Sequence, residues 1–252
     1  MRSLCWCSAA SVVLLLAGCG ATRVADPYAY DHDRPLAVRD QGVALSGPKV
    51  AMHVISFDGA KRVNAFLVVP RSGGTHPAVL FLHGSGGNRE DLLLPALQLA
   101  SRGFVTMTIS QPNHAATFRP LVVNARRALD LLVARKDVDA SRLGLVGFSL
   151  GAQTAAILAG DEPRLKAIGI VAGRGSGAPL YWIPRAKAHL FFQAGTRDAV
   201  VPHAQLAALI KAAPDDPLVR WYPTGHGMNR RAFDDQIAWQ AREIGFRPHG
   251  GH

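Results

Sequence analysis

Leu143-Gly144-Leu145-Val146-Gly147-Phe148-Ser149-Leu150-Gly151 is the stretch from which the rest of the chain can be read. An apolar run ends in Gly-x-Ser-x-Gly, and an Ala-rich segment, Ala152 to Ala159, follows at once. The pattern predicts a buried strand that hands Ser149 to a tight turn and reverses directly into a helix. Gly147 and Gly151 stand where a side chain would collide with the neighbouring strand or helix. Such a turn holds the serine in strained backbone geometry, its hydroxyl exposed and the helix N-terminus behind it. Ser85 and Ser176 also have glycine neighbours, but neither has Gly at both the second residue before and the second after. Ser149 is the one elbow in the sequence.

Outward from the elbow, strands and helices alternate. Lys49 to Phe57 and Arg62 to Val69 are β-rich runs joined by Asp58-Gly59-Ala60, a hairpin signal. Ala78 to Leu82 is wholly apolar, as in a strand covered on both faces, and ends in His83-Gly84-Ser85-Gly86-Gly87. Asn88 is placed as the N-cap of a helix running to about Arg102, with Glu90 and Asp91 in its first turn. Phe104 to Ile109 reads as a strand, Gln111 to Pro120 as a loop and Leu121 to Arg135 as an amphipathic helix. Asp137 to Arg142 turns into the elbow strand. Beyond the elbow helix, Leu165 to Val171, His189 to Gln193 and Leu218 to Tyr222 read as strands. Pro202 to Ala212 and Arg230 to Ile244 read as helices, and Gly173 to Lys187 as a short irregular connection. The expectation is α/β: one doubly wound, mostly parallel sheet with an N-terminal antiparallel hairpin and no large cap domain.

The chain has 252 residues, enough for one medium domain, and its apolar content of 48% with 18% charged residues suits an ordinary α/β protein. Residues 1–18 stand apart. Met1-Arg2 gives a basic start, Ala9 to Ala17 an apolar core and Leu16-Ala17-Gly18-Cys19 a small-residue cleavage site. The apolar run falls short of the ~20 residues that span a bilayer, so it reads as a secretory signal. Leu-Ala-Gly-Cys resembles the bacterial lipobox, which implies Cys19 as a lipidated N-terminus on the periplasmic side of the envelope. Gly20 in place of an acidic retention residue leans towards the outer membrane. Residues 19–47, mixed and Pro-containing, read as a tether, 48–247 as the domain and 248–252 as a flexible tail. Cys5 and Cys7 leave with the signal, so the folded part has no disulfide, zinc-thiolate or thiol-nucleophile chemistry. The net charge of +10 comes from scattered positives without a compact Lys/Arg block, which argues against a nucleic-acid partner. A basic surface of this kind is either simply solvated or suited to anionic head groups, cell-wall polymers or acidic substrates.

The elbow in its strand–turn–helix context resembles that of the α/β-hydrolases. Ala128-Leu129-Asp130 through Gly151, with Gly195-Thr196-Arg197-Asp198-Ala199-Val200-Val201-Pro202, looks like the dienelactone-hydrolase-like and prolyl-oligopeptidase-like branches. The resemblance runs from about Lys49 to Phe246. It implies a triad in the chain order serine, acid, histidine. Asp198 lies just past a strand, and His226 follows the last strand within Gly225-His226-Gly227. Ser149 is therefore carried over as nucleophile, His226 as general base and then acid, and Asp198 as its orienting partner. The competing reading of Asp198 is a cap for the helix near Pro202; that of His226 is a structural histidine. His189 is expected inside a core strand and His203 at an exposed helix start. His83-Gly84-Ser85-Gly86-Gly87 resembles the family's oxyanion loop, which implies main-chain donors at Ser85 and Leu150; the plain alternative is a Gly-rich strand-to-helix turn. No Gly-Lys-Ser/Thr follows it, against a phosphate cradle.

His114, Phe118, Phe148, Tyr181 and Trp182 are the candidates for the substrate pocket, each equally readable as packing. Dienelactone hydrolase itself uses cysteine where this chain has Ser149, a departure that favours carboxylic esters over its own lactone. The expected activity is hydrolysis of short-chain or small esters, with no cofactor and no metal. Two alternatives stay open: a serine peptidase or amidase, and a catalytically silent envelope binding module. The oligomeric state is not readable.

Overall fold

The computed structural model describes residues 26–113, 116–214 and 216–245. Residues 1–18, read as a signal, Cys19, His114 and residues 248–252, read as a tail, lie outside the described residues. A nine-stranded sheet forms the centre, in the order β1-β2-β3-β5-β4-β6-β7-β8-β9. β1 (Arg39–Ser46), β2 (Val50–Asp58), β3 (Arg62–Pro70) and β5 (Val105–Ile109) pair antiparallel in that sequence. β4 (His76–Leu82), β6 (Val138–Phe148), β7 (Leu165–Val171), β8 (His189–Gly195) and β9 (Leu218–Tyr222) run parallel to one another and to β5. This is the α/β-hydrolase fold, with the antiparallel hairpin at its start.

Helices cover both faces because the central strands are apolar on both. α2 (Arg119–Val133), α3 (Leu150–Asp161) and α5 (His203–Ala212) pack one face through Val122, Leu129, Ile157 and Leu209. α1 (Leu93–Ala100) and α6 (Arg230–Gln240) pack the other through Ala96, Leu99, Ile237 and Trp239. β4 is the point where the winding reverses: its successor β5 lies on one side and β6 on the other. The C-terminal end of such a strand opens a crevice between diverging loops. His83 to Gly87 occupies that crevice.

Several boundaries differ from the sequence expectation, each for a local reason. Residues 39–46, read as tether, form edge strand β1 against β2. All eight of its residues are exposed, so no alternation could mark it, and Gly42 at φ +101° lies within the first of its register shifts, between Asp40 and Val43. Asn88 does not cap a helix: its side chain accepts the Glu90 N–H in a local turn, and α1 begins only at Leu93. The strand after the 133–137 turn starts earlier than read, at Val138. The 173–187 connection holds α4 (Ala178–Trp182) and a 3₁₀ turn, Ile183–Arg185, and no cap domain. Among the described residues no helix is long and apolar enough to cross a membrane.

The segment before β1 is strapped to the domain by arginines. Arg126, with its side chain 8% exposed, donates to the Asp26 carboxylate (2.9 Å), the Tyr28 carbonyl (3.1 Å) and Asp161 (2.6 Å). Burial pushes the Asp161 carboxyl up to about 6 against the opposing pull of Arg126. The fold therefore penalises the ionised form above that value, and the penalty fades as pH falls from there towards the ordinary carboxylate value. Arg126→Ala is expected to cost about 3 kcal/mol by leaving Asp161 without its cation. The cost should be larger near about pH 8 than near about pH 5, where Asp161 takes up a proton. Urea unfolding at the two pH values measures this; an equal loss at both would refute it.

Candidate active site

Ser149 sits between the end of β6 and the first residue of α3, at φ +53° and ψ −108°. The left-handed φ of a non-glycine residue is strained and survives only where neighbours over-determine it. They do so here. The Ser149 N–H donates to the Val171 carbonyl (2.9 Å), and its own carbonyl accepts the Gln153 N–H (3.1 Å). A Cβ on Gly147 would lie 2.2 Å from the Gly151 carbonyl oxygen, and one on Gly151 would lie 2.1 Å from that of Leu82. The two glycines are thus dictated by contact between main chains.

The loop after β8 carries Asp198 and the loop after β9 carries His226. They are knitted by main-chain bonds from Thr196 to Tyr222 (2.8 Å) and from Arg197 to Thr224 (3.0 Å). A Cβ on Gly195 would strike the Gly225 carbonyl at 2.2 Å, so a glycine lets the loops close. Asp198, with its side chain 3% exposed, divides its oxygens: Oδ1 accepts the N–H groups of Val200 (2.8 Å) and Val201 (2.9 Å). Oδ2 lies 2.8 Å from His226 Nδ1. Asp198 therefore does not cap the helix near Pro202, whose start has no side-chain cap bond; one oxygen holds the loop before it and the other faces the imidazole. Burial opposes the charge on Asp198, but the hydrogen bonds from His226 and the two amides outweigh it and hold the carboxyl below the usual range. An ionised Asp198 accepts the Nδ1–H, which leaves the Nε2 lone pair facing Ser149. Nε2 lies 2.9 Å from Ser149 Oγ. The Phe148 ring packs against the imidazole with centroids 5.2 Å apart.

Beside this line lies a cavity of about 450 Å³ bounded by Ser85, Asn113, Thr117, Phe118 and Leu150 among others. Leu150 opens α3, so its N–H has no intrahelical acceptor, and the helix N-terminus adds positive potential there. Ser85 follows Gly84, where a Cβ would press within 3.1 Å of Phe148 and Ser149. Buried His83 fixes the loop. Its Nε2 accepts the Gln111 N–H (2.7 Å), so Nδ1 must carry the proton that it gives to the Gly84 carbonyl (2.6 Å). The peptide so held ends in the Ser85 N–H.

The five pocket candidates separate. Phe118 lines the cavity, and Phe148 supports the imidazole. His114 lies outside the described residues. Tyr181 and Trp182 are not at the cleft. The Trp182 carbonyl abuts Gly160, eleven residues along α3 from Ser149 and so ~16 Å away. His189 is exposed at the start of β8 and pairs with Glu243 (2.5 Å), rather than lying in the core. His203 is exposed, with its Nε2 3.2 Å from the Gly195 carbonyl. Asn113 and Thr117 were not anticipated; the signal available was their place on the loop after β5, at the C-terminal edge of the sheet. Among the described residues no group of three or more His, Cys, Asp or Glu is placed to hold a metal ion.

Comparison with known proteins bears on the family and the fold. Residues 106–244 match the Dienelactone hydrolase family. A curated relative, 2,6-dihydropseudooxynicotine hydrolase of Paenarthrobacter nicotinovorans, is 26% identical over 140 residues, 53% of this chain and 38% of that one. The chain thus spans about two fifths of the length of the curated relatives it matches. Among solved structures, an acetyl xylan esterase from Paenibacillus sp. R4 superposes with a TM-score of 0.73 at 19% identity, over 84% of this chain and 90% of that one. A puromycin-hydrolyzing peptidase of Mycobacterium tuberculosis superposes at 0.67 and 20% identity, over 82% of this chain and 42% of that one.

Contact geometry around the elbow separates two glycines. Gly151→Ala is expected to lose more than about 3 kcal/mol, because the obstacle is strand backbone that cannot yield. Gly227→Ala, beside His226 but with open space around it, should stay within ~0.5 kcal/mol of the parent. Denaturant unfolding of both variants checks this; similar stabilities would refute it.

Proposed function

The chain belongs to the dienelactone hydrolase family, and on that premise we propose that it is a serine hydrolase of small carboxylic esters. The observation that carries the reading is the unbroken line from Asp198 through His226 to Ser149, with contacts of 2.8 and 2.9 Å. Ser149 Oγ attacks the ester carbonyl while His226 Nε2 takes its proton. The N–H groups of Ser85 and Leu150 receive the oxyanion of the tetrahedral intermediate, each donor contributing ~10²–10³-fold in rate. His226 then returns the proton to the departing alcohol oxygen, leaving the acyl group on Ser149. Water repeats the sequence, losing its proton to His226, and the acid departs as Ser149 regains its hydrogen. Asp198 keeps the imidazole in the tautomer that accepts at Nε2 and stabilises the imidazolium. These steps draw on side chains, main-chain amides and water.

The cavity beside Ser85 and Leu150, about 450 Å³, lies within the range of small-ligand sites and suits a short acyl group. The likeness to a peptidase puts amides in the test as a second substrate class. Full-length protein is to be treated with a fluorophosphonate and mapped by mass spectrometry, then assayed on short-chain esters and peptide amides. Labelling at Ser149 is expected, lost in Ser149→Ala, with esters turned over in preference to amides. Asp198→Asn should lower kcat by ~10³–10⁴-fold near neutral pH through the wrong tautomer. Full activity in Ser149→Ala, or amides turned over faster than esters, would overturn the reading.

The same proposal places the enzyme on the outside of a bacterial cytoplasmic membrane, held by a lipid on Cys19. Support comes from the basic start, the apolar run and Leu16-Ala17-Gly18-Cys19. Cys19→Ser should move the protein from the membrane fraction to the soluble one; retention in the membrane would count against the anchor.

A further inference from the structure

The end of the domain opposite the cleft carries a cluster that the catalytic reading does not use. Tyr181 is 55% exposed and meets Trp182 edge-on, with ring centroids 5.3 Å apart. The Arg185 guanidinium lies over both rings, 4.2 Å from the Tyr181 centroid and 5.4 Å from that of Trp182, and donates to the Tyr181 carbonyl. Lys187 and Lys166, both exposed, lie just before or at the start of neighbouring strands β8 and β7. Among the described residues none of these three cations pairs with a carboxylate. The nearby acids are engaged: Asp161 by Arg126 at 2.6 Å and Glu162 by Arg164 at 2.7 Å.

This cluster is also where the chain enters the domain. Tyr28 packs on Trp182 with centroids 5.9 Å apart, and Asp26 is tied through Arg126 to Asp161 at the end of α3. Six residues separate Cys19 from Asp26, seven Cα steps with a reach of at most ~25 Å. A lipid on Cys19 therefore holds this end of the domain close to the bilayer. Tyrosine and tryptophan side chains suit the level of the head groups, and each Lys or Arg near an anionic surface adds attraction.

We propose that Tyr181, Trp182, Arg185, Lys187 and Lys166 form the face that this protein lays on the anionic surface of the membrane holding its N-terminus. The inference rests on the lipid-anchor reading of Cys19. Its consequence is directional. The patch lies at the N-terminal ends of β7 and β8, whereas Ser149, Asp198 and His226 lie beyond the C-terminal ends of the parallel strands. The cleft then opens away from the bilayer, toward esters in the aqueous space or on polymers there, and not toward lipids of the supporting membrane.

The test uses the full chain, produced with its own signal and purified from whichever fraction holds it. Mass spectrometry of the N-terminal peptide reports acylation of Cys19 and so judges the anchor separately. The protein is then mixed with phosphatidylcholine vesicles with and without phosphatidylglycerol, and hydrogen exchange is followed over residues 178–187. Exchange there should slow several-fold on the anionic vesicles alone, while the Ser149 region and fluorophosphonate labelling stay unchanged. Arg185→Glu with Lys187→Glu should remove that protection and weaken binding to the anionic vesicles by at least about 30-fold. Arg230→Glu with Arg231→Glu, the same charge change at the cleft end, should leave it intact. Protection without acylation would retain the face and discard the anchor. Equal exchange on both vesicle types, or equal losses in the two charge-reversed variants, would overturn the proposal.

Discussion

The contact between main chains at Gly147, Gly151 and Leu82 is the constraint on which the rest of the site depends. A helix can start directly at the end of a buried strand only if the reversal takes no room. Here a Cβ at either glycine would stand 2.2 Å or less from a carbonyl oxygen. With both absent, α3 lies against the end of β4 and the Gly151 N–H donates to the His83 carbonyl (3.1 Å). One turn thereby sets the φ of Ser149, aims the free N–H at the start of α3, and fixes its distance from the loop holding Ser85. Strain at one residue is sustained by a sheet whose central strands are almost wholly buried.

The other half of the site is brought in by topology. β8 and β9 are successive parallel strands, so their following loops emerge side by side at the same edge of the sheet as the elbow. Asp198 and His226, twenty-eight residues apart, meet at 2.8 Å because Gly195 lets the loops touch. The buried carboxylate is tolerable because both oxygens have partners: two amides and an imidazole. This satisfaction also keeps it ionised, and an ionised carboxylate is what sets the histidine tautomer.

Arginine performs a structural task that a count of charges conceals. Arg119 donates to the carbonyls of Pro27 and Ala29, Arg126 to that of Tyr28, Arg127 to that of Arg34, and Arg62 to that of Ala37. The irregular chain before β1 has few backbone partners of its own, and these guanidinium groups supply donors to its carbonyls. Part of the +10 net charge is thus employed in holding one segment. The domain consequently has two distinct ends, a cleft end shaped by loops and a basal end where Tyr28 and Trp182 meet.

Local sequence determined the alternation of strands and helices and the elbow at Ser149, and placed Asp198 and His226 just past strands, where the family resemblance implies the acid and the histidine. Each of these is written in short-range patterns: apolar runs, glycines at fixed offsets, and polar residues just past a strand. Strand β1 escaped because an exposed edge has no buried face to impose alternation, and Asn88 misled because its side chain serves a turn as readily as a cap. The tyrosines of Tyr28-Ala29-Tyr30 could be read as docking contacts but not decided, because the partners of Tyr28 lie on α2, α3 and α4, far away in sequence. The pocket candidates divided for the same reason. Aromatic residues look alike in a one-dimensional string, and only the packing of α3 shows that Phe118 and Trp182 stand near opposite ends of it. The sequence by itself determined which chemistry the chain can present. The tertiary structure alone decided which residues share a surface, since that depends on contacts between segments whose spacing along the chain has no local signature.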